Sequence, residues 1–436
     1  MPDHVHDLAE FISSSGDVYL RREGEKERRL SSSRKTSEHA RHSLLYCATV
    51  DERSFEDLHK SKGLRTLLVC IRDVTQRISI PADLFFKLWQ IRVLDLSRAG
   101  LREFPDSICH LSQLRFLDLS FNSMRYLPEG ITMLQSLQTL RTKSKVTELE
   151  FPRGMWKLVN LRHLDLGIDY TPFVMPQIGE ITNLEALSAF AVDEMYGKIE
   201  VLRGLVNLRG SLAILKLENL QNCKVENIKD CLIDKKGIDK LELVWNSGIG
   251  ATAAENTLAR LEPHTNLKHL VVERYAGVRF PTWVGDPSFS NIETIQLCGC
   301  VNCELLPPLG QLPMLKSLHI YGPMSELWDI DSDFCGNNIG KMKRFPSLRT
   351  LYLRSLYCLE IWTGLERGDM PLLQKLHIRS CGELFALPTL RFLGSLQELY
   401  IESCPKLQKL PDRRLPGSVS SLIIVDCPVL LESCKK

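Results

Sequence analysis

Residues 91–111 read IRVLDLSRAGLREFPDSICHL, and residues 114–134 read LRFLDLSFNSMRYLPEGITML. The two stretches share their apolar positions without gaps and carry a proline at the same offset, Pro105 and Pro128. Further copies begin at Leu137 and Leu161, so the four starts are 23, 23 and 24 residues apart. A fixed step of this length indicates an internal repeat in which each copy is one structural unit.

The same pattern returns near the end of the chain. LQKLHIRSCGELFALP (373–388), LQELYIESCPKLQKLP (396–411) and VSSLIIVDCPVL (419–430) align without gaps. Their cysteines, Cys381, Cys404 and Cys427, are separated by two steps of 23 residues. The shared form is L-x-x-L-x-L-x-x-[N/C]-x-x-L, which is the pattern of a leucine-rich repeat.

The repeat predicts the fold class. Each copy supplies one short strand whose inward leucines alternate with outward side chains. A single copy cannot bury its apolar face, so neighbouring copies must stack. We therefore predict an α/β leucine-rich-repeat solenoid, with a curved parallel sheet on the concave face and with helices, 3-10 turns and loops on the convex face.

A cysteine-rich stretch tests this register. QLCGCVNCELLP (296–307) places Cys298, Cys300 and Cys303 within six positions, a clustering that is also found in metal and redox sites. Aligned on LQKLHIRSCGELFALP, Cys300 takes the position of Cys381 and Cys303 the inward apolar position of Leu384, while Cys298 points outward. Zinc needs about four converging ligands. The register therefore favours buried packing residues over a metal site.

Composition limits the class of protein. The chain has 436 residues, 44% of them hydrophobic, and a formal net charge of +2, so its charge gives no reason to expect nucleic acid or an anionic membrane as partner. The first twenty residues lack the apolar core of a secretory signal, and no apolar run approaches the roughly 18 residues of a membrane span. The 14 cysteines are scattered. We expect a soluble cytoplasmic protein without disulfides.

Spacing of apolar residues divides the chain into five segments. Residues 1–20 have the spacing of a short helix, and residues 21–43 read as a basic polar linker. Residues 44–190 form a first block of repeats, 191–265 form longer irregular repeats with helices, and 266–436 form a second block.

Two stretches depart from the regular pattern. Within the irregular repeats, GKIEVLRGLVNL (197–208) has helical spacing, and SGIGATAAENTLARLEPH (247–264) predicts a Gly/Ala-rich loop followed by a helix. SELWDIDSDFCGNNIGKMKRF (325–345) interrupts the second block, and it is expected to form a surface loop because insertions in repeats map to loops.

No catalytic motif is visible. The nearest approach to a phosphate-binding loop, GNNIGKM (336–342), is one residue short and ends in Met rather than Ser or Thr. The 11 histidines do not cluster with cysteines. We expect a chain that is not an enzyme and that has no catalytic residue, metal or cofactor.

The outward strand positions are the candidate binding residues. In the first block they include Asp95, Asp118 and Asp165. In the second block they are aromatic or charged, and aromatic and Arg side chains are favoured anchors in protein interfaces. Strand propensity alone could also have placed the tyrosines. The predicted partner-binding residues of the concave face are His319, Tyr321, Tyr352, Arg354, His377, Arg379, Tyr400 and Glu402.

Several segments resemble one family. MPDHVHDLAEFIS (1–13) is similar to the end of the nucleotide-binding module of plant intracellular nucleotide-binding leucine-rich-repeat disease-resistance proteins. LENLQNCKVENIKDCLIDKKGIDKLELVWN (217–246), FPSLRTLYLRSLYCLEIW (345–362) and SCPKLQKLPD (403–412) resemble repeats of their coiled-coil subgroup. The resemblance covers essentially the whole chain and corresponds to the C-terminal leucine-rich-repeat portion of these proteins.

The resemblance implies a function. In that family the repeats sense pathogen-derived proteins, or host proteins that pathogens alter, and they hold the nucleotide-binding module in its ADP-bound off state. Residues 1–20 would be a remnant of the winged-helix end of that module. Met1, Pro2 and Asp3 stand where the family has Met-His-Asp, so the nucleotide-reading His is replaced by Pro2. ATP or ADP binding therefore does not carry over to this chain.

Two other interpretations remain open. The chain could belong to an ADP/ATP-dependent switch if a nucleotide-binding domain is encoded upstream. It could instead be a leucine-rich-repeat scaffold or adaptor for another enzyme, although no F-box-like segment precedes the repeats.

Overall fold

Parallel strands follow one another in chain order through the computed structural model. The chain divides into two compact units, Met1–Leu208 (unit 1) and Arg209–Lys436 (unit 2). The strands and short helices alternate as a leucine-rich-repeat solenoid requires, so the predicted α/β fold class is confirmed. The structure describes residues 19–22, 41–47, 55, 58, 61–71, 79–143, 149–167, 175, 177–193, 197–221, 223, 228, 230–246, 248–336, 343–410 and 415–434.

Unit 1 contains one parallel sheet whose strand order is the chain order. Its strands are β1 (Tyr19–Arg22), β2 (His42–Cys47), β3 (Thr66–Ile71), β4 (Val93–Asp95), β5 (Phe116–Asp118), β6 (Thr139–Arg141), β7 (His163–Asp165) and β8 (Ala186–Leu187), and β9 (Ala189–Ala191) follows them. The connecting segments hold α1 (Leu84–Lys87) and the 3-10 helices η1 (Asp106–His110), η2 (Glu129–Met133), η3 (Met155–Lys157), η4 (Ile178–Glu180) and η5 (Ile199–Gly204).

Unit 2 is built in the same way. Its main sheet contains β10 (Arg209–Leu215), β11 (Gly237–Val244), β12 (His269–Glu273), β13 (Thr294–Cys298), β14 (Ser317–Tyr321), β16 (Thr350–Arg354), β18 (Lys375–Arg379), β19 (Glu398–Glu402) and β20 (Ser421–Val425). A small parallel pair is formed by β15 (Asp329–Ile330) and β17 (Ile361–Trp362). The helices are η6 (Leu217–Leu220), α2 (Ala251–Arg260), η7 (Leu309–Gln311), α3 (Ser332–Cys335), η8 (Leu390–Phe392) and α4 (Pro428–Cys434).

The inward leucines form continuous columns across each sheet. In unit 1, Leu94 pairs with Leu117 and Leu117 with Leu140, and all three are completely buried. In unit 2, Leu376 and Leu399 are paired and buried in the same way. Each such side chain contributes roughly 1.5–3 kcal/mol by leaving water. The columns therefore hold the strands together and in register.

The column is open at β20. Leu422 occupies the same inward position as Leu399, but it is 46% exposed. The reason is its place in the sheet, since β20 is the last strand of the order and has a neighbour on one side only within the described residues.

Asparagines satisfy backbone groups where the repeats stack. Asn122 is buried in the turn after β5, where its Oδ1 accepts from Leu101 N at 3.0 Å and its Nδ2 donates to Leu96 O at 2.9 Å. Outside the sheet, Asn160 Nδ2 donates to Gln135 O at 2.8 Å. The buried Asn122 needs such partners, whereas Asn160 is exposed, and both asparagines join one repeat to the previous one.

The cysteine assignments from the register are confirmed. Cys300 and Cys303 are completely buried and Cys298 is half-buried at the outward end of β13. Burial raises the pKa of the Cys300 thiol well above its ordinary value. Cys381, Cys404 and Cys427 are buried at the equivalent turn position, with Sγ 3.2–3.5 Å from the carbonyl oxygen two residues earlier. These thiols act as packing residues of the turns.

The predicted helices had mixed outcomes. The helix expected after the Gly/Ala-rich loop is α2, so that prediction is confirmed. The stretch 197–208 holds the 3-10 helix η5 instead of an α-helix, because its apolar residues face the core over a short connection between strands. The predicted helix at 1–20 and linker at 21–43 lie mostly outside the described residues, except that Tyr19–Arg22 is strand β1. The predicted segment boundaries stay predictions.

The surface-loop prediction for 325–345 was wrong. The described part of this segment contains β15 and α3, and Leu327, Ile330, Phe334 and Phe345 are all at most 2% exposed. Phe334 packs on Phe345 with ring centroids 5.0 Å apart. Since these apolar side chains need burial, the segment folds onto the repeats as a further piece of core.

A buried ion pair fixes the end of this segment. Arg344 and Asp369 are each 7% exposed and form two parallel bonds, Nε to Oδ1 at 2.9 Å and Nη2 to Oδ2 at 2.6 Å. Asp369 Oδ2 also accepts from Glu366 N at 2.7 Å, and Arg344 Nη2 donates to Gly364 O at 3.2 Å. The pair is therefore bidentate and satisfied on both sides.

Truncating a column leucine should open a cavity. We expect Leu117→Ala and Leu164→Ala each to lower the free energy of unfolding by about 2–5 kcal/mol, because both side chains are buried. Urea unfolding followed by circular dichroism measures the loss. The matched control is Val206→Ala, since Val206 is 68% exposed, and it should stay within about 0.5 kcal/mol of wild type. Equal losses in the core and surface variants would contradict the column assignment.

Removing one partner of the buried ion pair should lower the free energy of unfolding more than replacing both partners with apolar residues. We expect Arg344→Met to destabilise the protein by about 3–5 kcal/mol, because it leaves the Asp369 carboxylate buried without its partner. The double variant Arg344→Met/Asp369→Leu should recover most of that loss, since no charge then remains buried. The same urea titration decides the point, and a double variant as unstable as the single one would show that the charge is not the cause.

Candidate functional site

The predicted binding residues lie in two rows on the outward face of the unit 2 sheet. Strand pairing places His319, Tyr352, His377 and Tyr400 side by side, and we call these four residues the aromatic row. The same pairing aligns Tyr321, Arg354, Arg379 and Glu402, which we call the charged row. The rows exist because outward residues alternate with buried leucines and isoleucines along every strand, so the same outward positions recur from strand to strand.

The aromatic row is a continuous stack of rings. His319 stacks on Tyr352 with centroids 4.6 Å apart, Tyr352 meets His377 edge to face at 4.6 Å, and His377 stacks on Tyr400 at 5.3 Å. These separations fall in the range of favourable aromatic pairs, each worth about 0.5–1.5 kcal/mol. Burial lowers the pKa of His319, which favours its neutral, stacking form. The rings therefore hold one another in place while remaining partly exposed.

Ion pairs fix most of the charged side chains beside the rings. Arg379 Nε lies 2.5 Å from Glu402 Oε2, and Tyr400 Oη donates to the same oxygen at 3.0 Å. The bonds from Arg379 and Tyr400 lower the pKa of Glu402. Arg379 also sits over the Tyr400 ring, 5.3 Å from its centroid. The phenol, the guanidinium and the carboxylate thus form one connected group.

A second pairing supports His377 from the other side. Glu398 Oε1 lies 2.9 Å from His377 Nε2, and Glu398 Oε2 lies 3.2 Å from Lys375 Nζ. The Lys375 bond lowers the pKa of Glu398, so this carboxylate is ionised at neutral pH. Arg354 differs from its neighbours, because it is exposed and forms no ion pair with any described residue.

The rows extend to residues that sequence reasoning did not select. In strand register, Gln296, Val271 and Glu242 continue the aromatic row, and Cys298 and Glu273 continue the charged row. Tyr321 Oη donates to Gln296 Oε1 at 3.4 Å. The sequence could have predicted these positions, since each lies at the same offset in its repeat as one of the predicted binding residues.

The aspartates predicted to face outward in unit 1 are arranged differently, because Asp95 and Asp118 are buried, at 7% and 2% exposed. Asp118 and Asp165 flank Arg141, with Arg141 Nη1 2.9 Å from Asp118 Oδ2 and Nε 3.2 Å from Asp165 Oδ2. Asp95 and Asp118 also accept from the backbone nitrogens of Ser97 and Ser120, at 2.9 and 2.8 Å. The carboxylates of Asp95 and Asp118 therefore stabilise the turns of their own repeats. The sequence analysis did not predict a role for Arg141, because the recurring residue at this position of the repeat is Asp.

Other kinds of site have little support in the described ranges. No group of three or more His, Cys, Asp or Glu side chains there is arranged to hold a metal ion. Among the same residues, no helix has the length and apolar character needed to cross a membrane.

Comparisons with known proteins identify the repeats. The family model described as R13L1/DRL21 LRRs matches residues 199–323. Putative disease resistance RPP13-like protein 1 of Arabidopsis thaliana is 33% identical over 73% of this chain and 29% of its own length. Putative disease resistance protein RGA1 of Solanum bulbocastanum is 32% identical over 51% of this chain and 22% of its own length.

The solved structure of the Leptospira interrogans LRR protein LIC12759 is also similar, with a TM-score of 0.45, 17% identity, and coverage of 84% of this chain and 85% of that one. The chain spans between a fifth and a third of the two curated plant relatives. By its repeat pattern, its family match over residues 199–323 and its similarity to these relatives, the chain corresponds to a leucine-rich-repeat portion of plant disease-resistance proteins.

Proposed function

We propose that this chain is a non-catalytic protein-recognition region, and that the outward face of the unit 2 sheet binds the partner. The observation that carries the proposal is the continuous aromatic row, His319 to Tyr400, with the charged row beside it. Tyr and Arg are, with Trp, enriched among the residues that contribute most of the binding energy in protein interfaces. A face made of them is suited to contact another protein.

The geometry favours binding over a purely structural role for the tyrosines. Strand propensity explains an isolated Tyr on a sheet, but it does not require four rings in successive strands to stack. Because the rings are fixed by one another and by ion pairs, little side-chain freedom is lost when a partner covers them. Their remaining exposed surface is available for burial.

The similarity to disease-resistance proteins supports a proposal for the biological role. We infer that the chain works in plant defence, where it recognises a pathogen effector or a host protein altered by one, and that it does so in the cytoplasm. We also infer that it restrains a nucleotide-binding module, supplied in the same chain or by another. The support for both statements is the similarity to relatives that are named disease-resistance proteins.

Removing two rings of the aromatic row should separate binding from folding. We expect Tyr352→Ala/Tyr400→Ala to keep the far-UV spectrum of the wild type and to lose the partner. The measurement is a quantitative pull-down from extracts of healthy and infected leaves, read by mass spectrometry. The matched control is Tyr357→Ala/Phe385→Ala, which removes two rings that are 56% and 39% exposed but lie outside both rows.

Proteins retained by the wild type and the control but lost by the Tyr352/Tyr400 variant are the expected result. A set of captured proteins that is identical for all three variants would contradict the proposed face.

The restraint of a nucleotide-binding module has a separate test. We expect this chain to co-purify with the nucleotide-binding module of a related resistance protein when the two are expressed together as separate chains. Size-exclusion chromatography with an unrelated leucine-rich-repeat protein as the control measures the association. Elution of the two chains as independent species would count against this part of the proposal.

A further inference from the structure

Most charges on the outward face of the unit 2 sheet are already neutralised within the protein. Three ion pairs account for them: Lys240 Nζ with Glu242 Oε1 at 2.7 Å, Lys375 Nζ with Glu398 Oε2 at 3.2 Å, and Arg379 Nε with Glu402 Oε2 at 2.5 Å. A partner that met these pairs would find little net charge.

Two outward charges of opposite sign are left over. Glu273, at the end of β12, and Arg354, at the end of β16, make no ion pair with any residue that the structure describes. Glu402 attracts Arg354, but Arg379 already holds that carboxylate. Arg274 and Lys240 attract Glu273 without forming an ion pair with it, and Lys240 is paired with Glu242. Both unmatched residues belong to the same line of strand pairs, Glu273 to Cys298, Cys298 to Tyr321 and Tyr321 to Arg354.

The distance between the two charges is set by the sheet. Three strand steps of about 4.8 Å separate them by about 14 Å, which equals about four residues of an extended chain at 3.3–3.4 Å each. The two residues between them are uncharged at neutral pH, because burial raises the pKa of both the Cys298 thiol and the Tyr321 phenol, the latter to about 12. Along this line of paired residues, an acidic side chain is thus followed by two neutral ones and then by a basic one.

We propose that the partner contributes an extended segment that crosses the strands and carries a basic and an acidic side chain about four residues apart. The basic side chain lies against Glu273 and the acidic one against Arg354, where a guanidinium can hold a carboxylate with two bonds. An aromatic or apolar residue beyond the acidic one then packs on the aromatic row at Tyr400. This inference rests on the proposed function, since it specifies the partner of the same face.

The test uses a phage-displayed library of random twelve-residue peptides as the probe and the purified full chain as the bait. We expect the wild type to enrich peptides with opposite charges about four positions apart and an apolar residue beyond the acidic end. The charge-swapped variant Glu273→Lys/Arg354→Glu should enrich peptides in which the two charges are exchanged, so that the basic residue is the one nearer to the apolar residue. Arg354→Glu alone should weaken a peptide selected on the wild type by about 10-fold or more, the loss typical of one charged hydrogen bond.

The matched control reverses two exposed charges outside the strands, Glu326→Lys/Arg367→Glu, and it should select the wild-type peptides. An unchanged consensus in the charge-swapped variant, with binding still lost in Tyr352→Ala/Tyr400→Ala, would overturn this inference and leave the proposed face standing. If every peptide enriched by the wild type is also enriched by the Tyr352/Tyr400 variant, this inference and the proposed face are both overturned. Circular dichroism of every variant confirms that the fold is retained.

Discussion

Burial of the inward aliphatic columns is the constraint on which the rest of the structure depends. Leu318, Leu351, Leu376 and Leu399 have no exposed surface and face one another in strict register. A slip of one residue in any strand would turn its apolar set toward water, so the register is strongly specified. Since outward residues alternate with inward ones, the same constraint lines up His319, Tyr352, His377 and Tyr400. The candidate recognition face is thus a consequence of core packing.

The columns also hold backbone strain at the ends of the strands. Ser355, Ser380 and Ser403 follow β16, β18 and β19 with φ of 56°, 54° and 52°, a left-handed conformation that is uncommon outside glycine. Each such residue costs of order 1 kcal/mol or more. The hydrogen bonds of Ser355 N to Arg379 O and of Ser380 N to Glu402 O, both 2.8 Å, help to hold the turns. The strain therefore sits directly after the charged row and is offset by the columns beside it.

The sequence predicted the structure correctly where the repeat period alone determines which residues face the core. The repeat predicted which residues of each strand face inward, and it placed Cys300 in the core and Cys298 on the outward side. It failed for the segment 325–345, where the period breaks, although Leu327, Phe334 and Phe345 already indicated a need for burial. The period likewise identified the outward aspartates without revealing Arg141 between them, because alternation specifies a face and not the pairing of charges on it. Ring stacking and the unmatched charges of Glu273 and Arg354 required coordinates for the same reason.

The two units show that one scaffold can use its outward positions in different ways. In unit 1 the carboxylates of Asp95 and Asp118 accept backbone hydrogen bonds from their own turns, and Arg141 bridges Asp118 and Asp165. Covering them with a partner would remove water from groups whose bonds are already made, which yields little. In unit 2 the rings keep exposed apolar area, and Glu273 and Arg354 form no ion pair with a described residue. Contact with a complementary segment would therefore bury area and complete ion pairs. Fold alone does not assign a function to either face. The difference between satisfied and unsatisfied side chains is the reason for proposing that recognition takes place on unit 2.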